Sequence, residues 1–171
     1  MRLLFGEDKG VAHWVAERIP HARVRIPYFP PGEVFGPAAA IGVARGDELV
    51  AGVVFHNYDP FVRSIEVSCA AASPRWANRR VFSDLLRYPF SQLDCRRITA
   101  VTPRRAPPGA TSPRKFLEGL GFVREGSIRF GFGDQNAIVY GLLAEDWAAH
   151  PLCRGALSRG EEIGPRAAAG S

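Results

Sequence analysis

A strand, a helix and a second strand follow one another between residues 62 and 102, and this pattern constrains the fold more than any other part of the sequence. Residues 62–72 alternate between polar and apolar side chains and then become small, which is typical of a strand. Residues 77–93 place apolar side chains on one helical face, and residues 96–102 form a short run with β-branched side chains. Such a connection is right-handed and leaves its two strands parallel in one sheet. Pro89 lies inside the helical segment and predicts a kink, because proline removes a backbone hydrogen bond.

The segments around this crossover predict an α/β (α+β) domain with a mixed sheet. An antiparallel meander precedes the crossover and a hairpin follows it. We predict one domain over residues 1–147 and a poorly ordered tail over residues 148–171, where the apolar periodicity is lost. The other predicted elements are an amphipathic helix over 7–19, a proline-rich loop over 26–37, strands over 38–44 and 48–56, a helix over 112–120, and hairpin strands over 122–132 and 137–143.

Length and composition limit the class of protein. With 171 residues, of which 46% are apolar, the chain can fill one core. No apolar run approaches the roughly 18 residues that span a bilayer. Acidic residues follow the short apolar start, so we expect no membrane segment and a cytoplasmic location. The three cysteines lack paired spacing and neighbouring histidines, which predicts reduced thiols and no metal site.

Basic residues are concentrated in one part of the chain. Residues 75–129 hold 12 Lys or Arg against 4 acids, a net charge of +8, whereas the whole chain has +5. A concentrated positive field favours a polyanionic ligand, such as a nucleotide-like cofactor, a phosphate or a nucleic acid. The alternative is that these arginines only solvate helix faces.

Two strings near the C-terminus resemble the GNAT superfamily of acyl-CoA-dependent N-acyltransferases. The first is Phe-Leu-Glu-Gly-Leu-Gly-Phe-Val-Arg-Glu-Gly-Ser-Ile-Arg over residues 116–129, and the second is Ile-Val-Tyr-Gly-Leu-Leu-Ala-Glu-Asp-Trp over residues 138–147. The predicted crossover falls where that family keeps its cofactor-binding core, so the resemblance covers about residues 38–147. It implies a GNAT-like fold and acetyl-CoA, or another acyl-CoA, as cofactor.

The same resemblance implies a set of cofactor-binding residues. The family's pyrophosphate loop carries glycines, whereas the matching stretch here, residues 74–81, has none, and Arg79 stands where a glycine is expected. Arginines at the helix start would then supply charge-assisted phosphate contacts. Amides of the fourth strand around Ala70 and Ala71 would orient the thioester. The implied set is Cys69, Ala70, Ala71, Arg75, Trp76, Ala77, Asn78, Arg79, Arg80 and Val81.

Candidate catalytic residues also follow from the resemblance. An amine nucleophile must lose a proton, and Glu66 occupies a place on the fourth strand where many family members carry a glutamate. His56 and Asp59, at the preceding hairpin, are the second candidates for the base, because histidine titrates near neutrality. The family's asparagine and tyrosine positions hold Ala110 and Leu117 here. Tyr140, or Tyr88, is therefore a candidate acid for the leaving thiolate.

The function implied is transfer of an acyl group, most simply acetyl, to an amine by direct attack. The acceptor is left open between a protein or peptide amine, a small-molecule amine and an amino group of a nucleic acid base, and a homodimer is compatible with this reading. Two other classes remain: a catalytically silent CoA-binding module, and a basic protein that binds or modifies nucleic acid. A cysteine nucleophile at residue 69 is a further alternative, although most free cysteines behave as small buried hydrophobes.

Overall fold

The computed structural model describes residues 1–76, 78–108 and 112–153. Within them the strands are β1 (Arg2–Leu4), β2 (Ala38–Arg45), β3 (Glu48–Asp59), β4 (Ser64–Ala71), β5 (Arg97–Pro103), β6 (Val123–Phe132) and β7 (Gln135–Leu143). The helices are α1 (Asp8–Arg18), α2 (Pro20–Arg23), α3 (Arg79–Arg87), α4 (Arg114–Gly119) and α5 (Ala144–Ala149). The strands form one sheet in the order β1-β2-β3-β4-β5-β7-β6.

The sheet contains the predicted parallel crossover. Strand β4 pairs with β5 in parallel, starting where Ser64 lies opposite Arg97, and α3 connects them. The other neighbouring strands pair antiparallel. The predicted α/β class, the meander of β2, β3 and β4, and the closing hairpin of β6 and β7 are therefore confirmed.

The predicted kink at Pro89 marks the end of α3. The α-helix ends at Arg87, and a wider π-helical turn continues over Tyr88–Gln92. The amide of Leu93 donates to the carbonyl of Tyr88 at 3.1 Å, which closes this turn without needing an amide from the proline. The start of the predicted helix, Ala77, lies outside the described residues.

Three short elements were not predicted. Strand β1 adds an edge to β2, helix α2 begins at Pro20, where the sequence predicted only a stop, and α5 follows β7 directly. Trp147 of α5 is 3% exposed and Cys153 is 7% exposed, both within the main core. Core contacts thus extend past residue 147 into the segment predicted as tail, of which residues 154–171 lie outside the described residues.

Helices cover the two faces of the sheet. Helix α1 buries Val11 and Val15 against Val54 of β3 on one face. Gly52 permits this approach, because a Cβ atom there would meet Val15 Cγ2 at 2.5 Å. Leu85 of α3 belongs to the larger core cluster that includes buried side chains of β5 and β7. None of the helices in the described part of the chain is long and apolar enough to cross a bilayer. The cytoplasmic location stays a prediction.

Candidate active site

The parallel strands β4 and β5 separate at their C-terminal ends. Their pairing stops after Val67 and Ala100. Strand β4 then continues to Ala71 paired only with β3, and β5 continues to Pro103 paired only with β7. A wedge-shaped gap therefore opens inside the sheet.

Alternation along β4 decides which backbone groups face this gap. The amide of Ala72 donates to the carbonyl of Val50 at 2.9 Å, so Ala72 and every second residue before it turn their backbone groups towards β3. By this alternation Cys69 and Ala71 turn their N–H and C=O groups into the gap. Ala70 turns its own towards β3, which corrects its predicted place among the cleft-facing amides.

A cavity of about 530 Å³ lies over the point where the two strands separate. Val67 and Ser68 of β4 and Val101 of β5 line it on the sheet side. Its other walls come from α2 and the turn after it, from the loop before β2, and from the hairpin of β6 and β7. They include His21, Arg25, Phe35 and Phe132.

Three polar side chains of β3 and β4 meet on one face of the sheet in this cavity. His56 lies directly opposite Glu66 in the antiparallel register. The imidazole Nε2 of His56 lies 2.9 Å from the hydroxyl Oγ of Ser68. All three residues line the cavity. The two predicted bases, Glu66 and His56, are therefore neighbours in one site, and Ser68 joins them.

Two histidines of the cavity have lowered pKa values. Burial lowers the pKa of His56, while the nearby carboxylate of Glu66 acts in the opposite direction. Burial also lowers the pKa of His21, assisted by the charge of Arg25 and by His56. Both imidazoles are therefore largely neutral at pH 7, a state in which His56 can accept a proton.

An irregular hairpin brings Phe132 into the cavity wall. The pairing of β6 and β7 shifts register between Ile128 and Phe132, and Phe130 within this bulge has φ of +53°. That left-handed conformation is costly for a bulky side chain, so the surrounding hydrogen bonds must hold it. The amide of Phe130 donates to Asn136 Oδ1 at 3.2 Å. Phe132 then contacts the His21 ring, with centroids 4.5 Å apart.

Tyr140 lies in the core and does not line this cavity. It is 0% exposed and pairs with Ala100, the last residue of β5 that still pairs with β4. Its hydroxyl is buried and has no hydrogen-bond partner in the described structure. A buried hydroxyl without a partner carries a desolvation cost.

Solved structures with the same architecture were found across nearly the whole chain. One, assigned as an acetyltransferase, has a TM-score of 0.61 and 23% identity, covering 94% of this chain and 93% of its own. Another, from T. thermophilus and assigned in the same way, has a TM-score of 0.63 and 18% identity, covering 94% and 93%. A chimera of Vibrio cholerae spermidine N-acetyltransferase SpeG and hSSAT has a TM-score of 0.64 and 17% identity, covering 87% and 97%.

The chain has the GNAT fold. The resemblance seen in the sequence is therefore confirmed at the level of the fold. No family model matches the sequence, and no curated protein matches it significantly. At identities of 17–23% the likeness to solved structures establishes architecture, not reaction or substrate.

The start of α3 holds the arginines predicted from the GNAT resemblance. Arg75, Arg79 and Arg80 are exposed. Asn78 caps the helix, because its Oδ1 accepts the amide of Val81 at 3.0 Å. That cap already satisfies one of the amides that a GNAT glycine loop would offer to phosphate. Charge-assisted contacts here must therefore come mainly from the arginine side chains.

Other predicted cofactor residues occupy the core of this GNAT fold. Trp76 is 4% exposed, with its ring centroid 5.0 Å from that of Phe82 and 6.0 Å from that of Phe116. Val81 is 5% exposed in the same cluster. These side chains pack α3 onto the core, and a cofactor contact from either is not supported. Ala77 and Ala110 lie outside the described residues.

Cys69 is an exposed residue whose thiol is nevertheless poorly solvated. The residue is exposed where β4 borders the gap. Desolvation by surrounding protein atoms nevertheless raises the pKa of its thiol to about 12. The thiol is therefore protonated at pH 7, which disfavours a role as nucleophile because the thiolate is the reactive form.

Sequence reasoning missed several residues of the site. His21 and Arg25 come from the short helix α2 and its following turn, and Phe132 comes from the hairpin bulge. Ser68 shares the face of Glu66 by simple alternation along β4, so the strand pattern could have identified it. Among the described residues, no group of three or more His, Cys, Asp or Glu side chains is arranged to hold a metal ion.

Proposed function

We propose that the protein is an acyl-CoA-dependent N-acyltransferase that transfers an acyl group, most simply acetyl, to an amine by direct attack. One observation carries this proposal: the cavity that contains Glu66, His56 and Ser68 opens where β4 and β5 separate. Acceptor and thioester would therefore meet at the same point of the sheet. The GNAT fold supports the proposal, because the solved structures with this architecture include acetyltransferases.

The residues present fit an acyl-CoA. Backbone groups of Cys69 and Ala71 face the gap and are suited to pair with the amides of an extended pantetheine arm. The exposed arginines at residues 75, 79 and 80 are suited to bind its phosphates. When bound, the cofactor supplies an activated thioester carbonyl.

Glu66 is proposed to accept the proton of the acceptor amine, directly or through water. It is half-buried in the cavity and faces His56 across the strand pair. His56 is the second candidate, because its lowered pKa keeps it neutral and its Nε2 is already hydrogen-bonded to Ser68. A base beside the amine contributes typically 10² to 10⁴-fold to the rate.

Tyr140 is proposed to protonate the thiolate that leaves. Its buried hydroxyl has no partner in the described structure, and it pairs with Ala100 at the apex of the gap. A thiolate arriving there would supply the missing acceptor. Tyr88 is the alternative, and its ring packs against Phe55 with ring centroids 5.2 Å apart.

The acceptor is proposed to be a small molecule other than a polyamine. Several solved structures of this fold are spermidine N-acetyltransferases, and one of them is dodecameric. In the part of the chain that the structure describes, the cavity lining holds a single carboxylate, Glu66. A polyamine carries several positive charges, which one carboxylate cannot balance. A homodimer stays a prediction.

Two measurements test this function together. Calorimetry with acetyl-CoA reports cofactor binding, and release of free thiol in the presence of an amine panel reports transfer. Binding with turnover is expected. Tight binding without turnover of any amine would indicate a silent CoA-binding module. Salt-dependent retention on DNA without either would indicate a nucleic-acid-binding protein.

A further inference from the structure

We propose that the acceptor is an aminocarboxylate: a small molecule that carries a primary amine, a carboxylate and an apolar body. This inference rests on the proposed acyl transfer and names its substrate class. It follows from two oppositely charged side chains in one cavity, Glu66 on β4 and Arg25 after α2. The amine would approach Glu66, and the carboxylate would bind Arg25.

Arg25 has no internal ion-pair partner among the described residues, although it lines the cavity. Most other described arginines also lack one, and what distinguishes Arg25 from them is that it lines the cavity; Arg63 and Arg97 are among the few that are paired. The Nη2 atom of Arg63 lies 2.6 Å from Oδ2 of Asp94, and the guanidinium of Arg97 donates to both carboxylate oxygens of Glu125. A guanidinium that faces a cavity without a carboxylate of its own is well suited to bind one from a ligand.

The remaining titratable side chains of the cavity add little charge at neutral pH. Burial lowers the pKa of both His21 and His56, so both imidazoles are largely neutral. Among the described residues, the charged side chains that line the cavity are then Glu66 and Arg25, one of each sign. A diamine would leave its second cation facing Arg25, whereas an aminocarboxylate complements both charges.

Apolar side chains form much of the remaining lining. Phe35 lies beside His56, with ring centroids 5.3 Å apart, and Phe132 lies beside His21 at 4.5 Å. Val67 and Val101 line the sheet side. Burial of an apolar ligand body against such rings removes apolar surface from water and so favours binding. A ligand with an aromatic or branched aliphatic body fits this lining better than a linear polar one.

The experiment compares amines that differ only in the carboxylate. Phenylalanine is compared with phenethylamine, and 4-(aminomethyl)benzoate with benzylamine, each at saturating acetyl-CoA. The second pair places the two groups farther apart, so it covers a longer spacing between the Glu66 and Arg25 sites. We expect kcat/KM to be about ten- to a hundred-fold higher for one aminocarboxylate than for its matched amine, as for a charge-assisted hydrogen bond.

A variant then assigns the effect to Arg25. In Arg25→Gln, that preference is expected to fall by the same factor, mainly through KM, with little change for the matched amine. The control is Arg23→Gln, an exposed arginine of α2 that does not line the cavity, and it should keep the preference. Calorimetric titration of both aminocarboxylates into the acetyl-CoA-free protein gives a second readout that does not need turnover.

The outcomes separate this inference from the proposed function. Transfer to benzylamine or phenethylamine at rates equal to the aminocarboxylates would overturn the inference and leave the acyltransferase standing. An unchanged preference in Arg25→Gln would also overturn it. If no amine is acylated and acetyl-CoA does not bind, the proposed function fails. If neither aminocarboxylate binds by calorimetry and neither is acylated, the inference is wrong, whether or not acetyl-CoA binds.

Discussion

The imidazole Nε2 of His56 lies 2.9 Å from Oγ of Ser68 on the neighbouring strand. Because β3 and β4 pair in regular register here, Glu66 lies on the same face and directly opposite His56. A carboxylate, an imidazole and a hydroxyl thus share one surface of a rigid sheet. Chemistry placed on strands is held more precisely than chemistry placed on loops.

Glu66→Gln is predicted to abolish most turnover while acetyl-CoA affinity is kept. Glutamine preserves shape and hydrogen bonding but cannot accept the amine proton, so kcat should fall by roughly 10² to 10⁴. Thiol release gives the rate and calorimetry gives the affinity. Glu48→Gln, at the exposed start of β3, is the matched control. Wild-type turnover in Glu66→Gln would assign Glu66 a structural role, and His56→Ala would then be tested as the base.

His56 is predicted to make the protein less stable as the pH falls below neutrality. Its folded pKa is lowered from 6.5, so on acidification the unfolded chain takes up the proton first and is favoured. This contribution is lost as the pH falls through 6.5 towards the folded pKa, and His21 acts in the same direction. Urea unfolding between pH 7.5 and pH 5 should therefore show a shallower decline in His56→Gln. An identical decline in the variant would contradict the assignment.

Tyr140→Phe is predicted to separate stability from activity. Loss of a buried hydroxyl without a partner should leave the free energy of unfolding unchanged or raise it by up to about 1 kcal/mol. Turnover should fall if this hydroxyl protonates the thiolate. Tyr58→Phe is the matched control, because Tyr58 is exposed on β3 and donates to the Leu93 carbonyl at 3.4 Å. Full turnover in Tyr140→Phe would remove Tyr140 from the mechanism.

Replacement of both Arg79 and Arg80 by alanine is predicted to weaken acetyl-CoA binding. Loss of charge-assisted phosphate contacts costs roughly 1 to 3 kcal/mol, about a 5- to 150-fold change in Kd. The pair of Arg80 with Asp84 is long, at 3.9 Å, so its loss should hardly affect stability. Arg45→Ala, at the exposed end of β2, serves as the charge control. An unchanged Kd in the double variant would reject this phosphate site.

Gly141→Ala is predicted to be destabilising only when Glu125 is present. Glu125 of β6 reaches across β7 to Arg97 of β5, and its carboxylate lies where a Cβ atom of residue 141 would be. In wild type the alanine should cost about 1 kcal/mol by displacing this partly exposed ion pair. In a Glu125→Ala background the same change should be neutral. A double-mutant cycle by urea unfolding measures the coupling, and equal costs in both backgrounds would disprove it.

The sequence predicts those strands and helices in which apolar residues repeat at a regular spacing. The crossover from β4 to β5 was predicted because alternation and helical spacing both extend over many residues, and Pro89 marks where α3 changes its geometry. Strand β1 has three residues and α2 has four, too few to show a period. These elements form only because they pack against longer neighbours.

The site was predicted less completely than the fold. Glu66 and His56 were predicted as candidate bases. Their position directly opposite each other depends on the register between β3 and β4, which shifts just after His56 and which the sequence does not show. Arg25 and Phe132 are far apart in sequence, and only the folded chain brings them to one cavity. Trp76 was grouped with the cofactor contacts from its place in the sequence, whereas in the fold its ring packs against Phe82 of α3.

Even and odd positions of strand β4 face different parts of the candidate site. At even positions, Glu66 and Ser68 project their side chains into the proposed acceptor cavity, whereas at odd positions Cys69 and Ala71 direct their backbone groups into the gap between β4 and β5. One extra or missing residue between 66 and 69 would reverse the alternation and so exchange these two assignments. Substitution at the even positions would therefore alter the proposed acceptor cavity alone, whereas an insertion or deletion within this short stretch would also disrupt the backbone groups that are proposed to bind the cofactor.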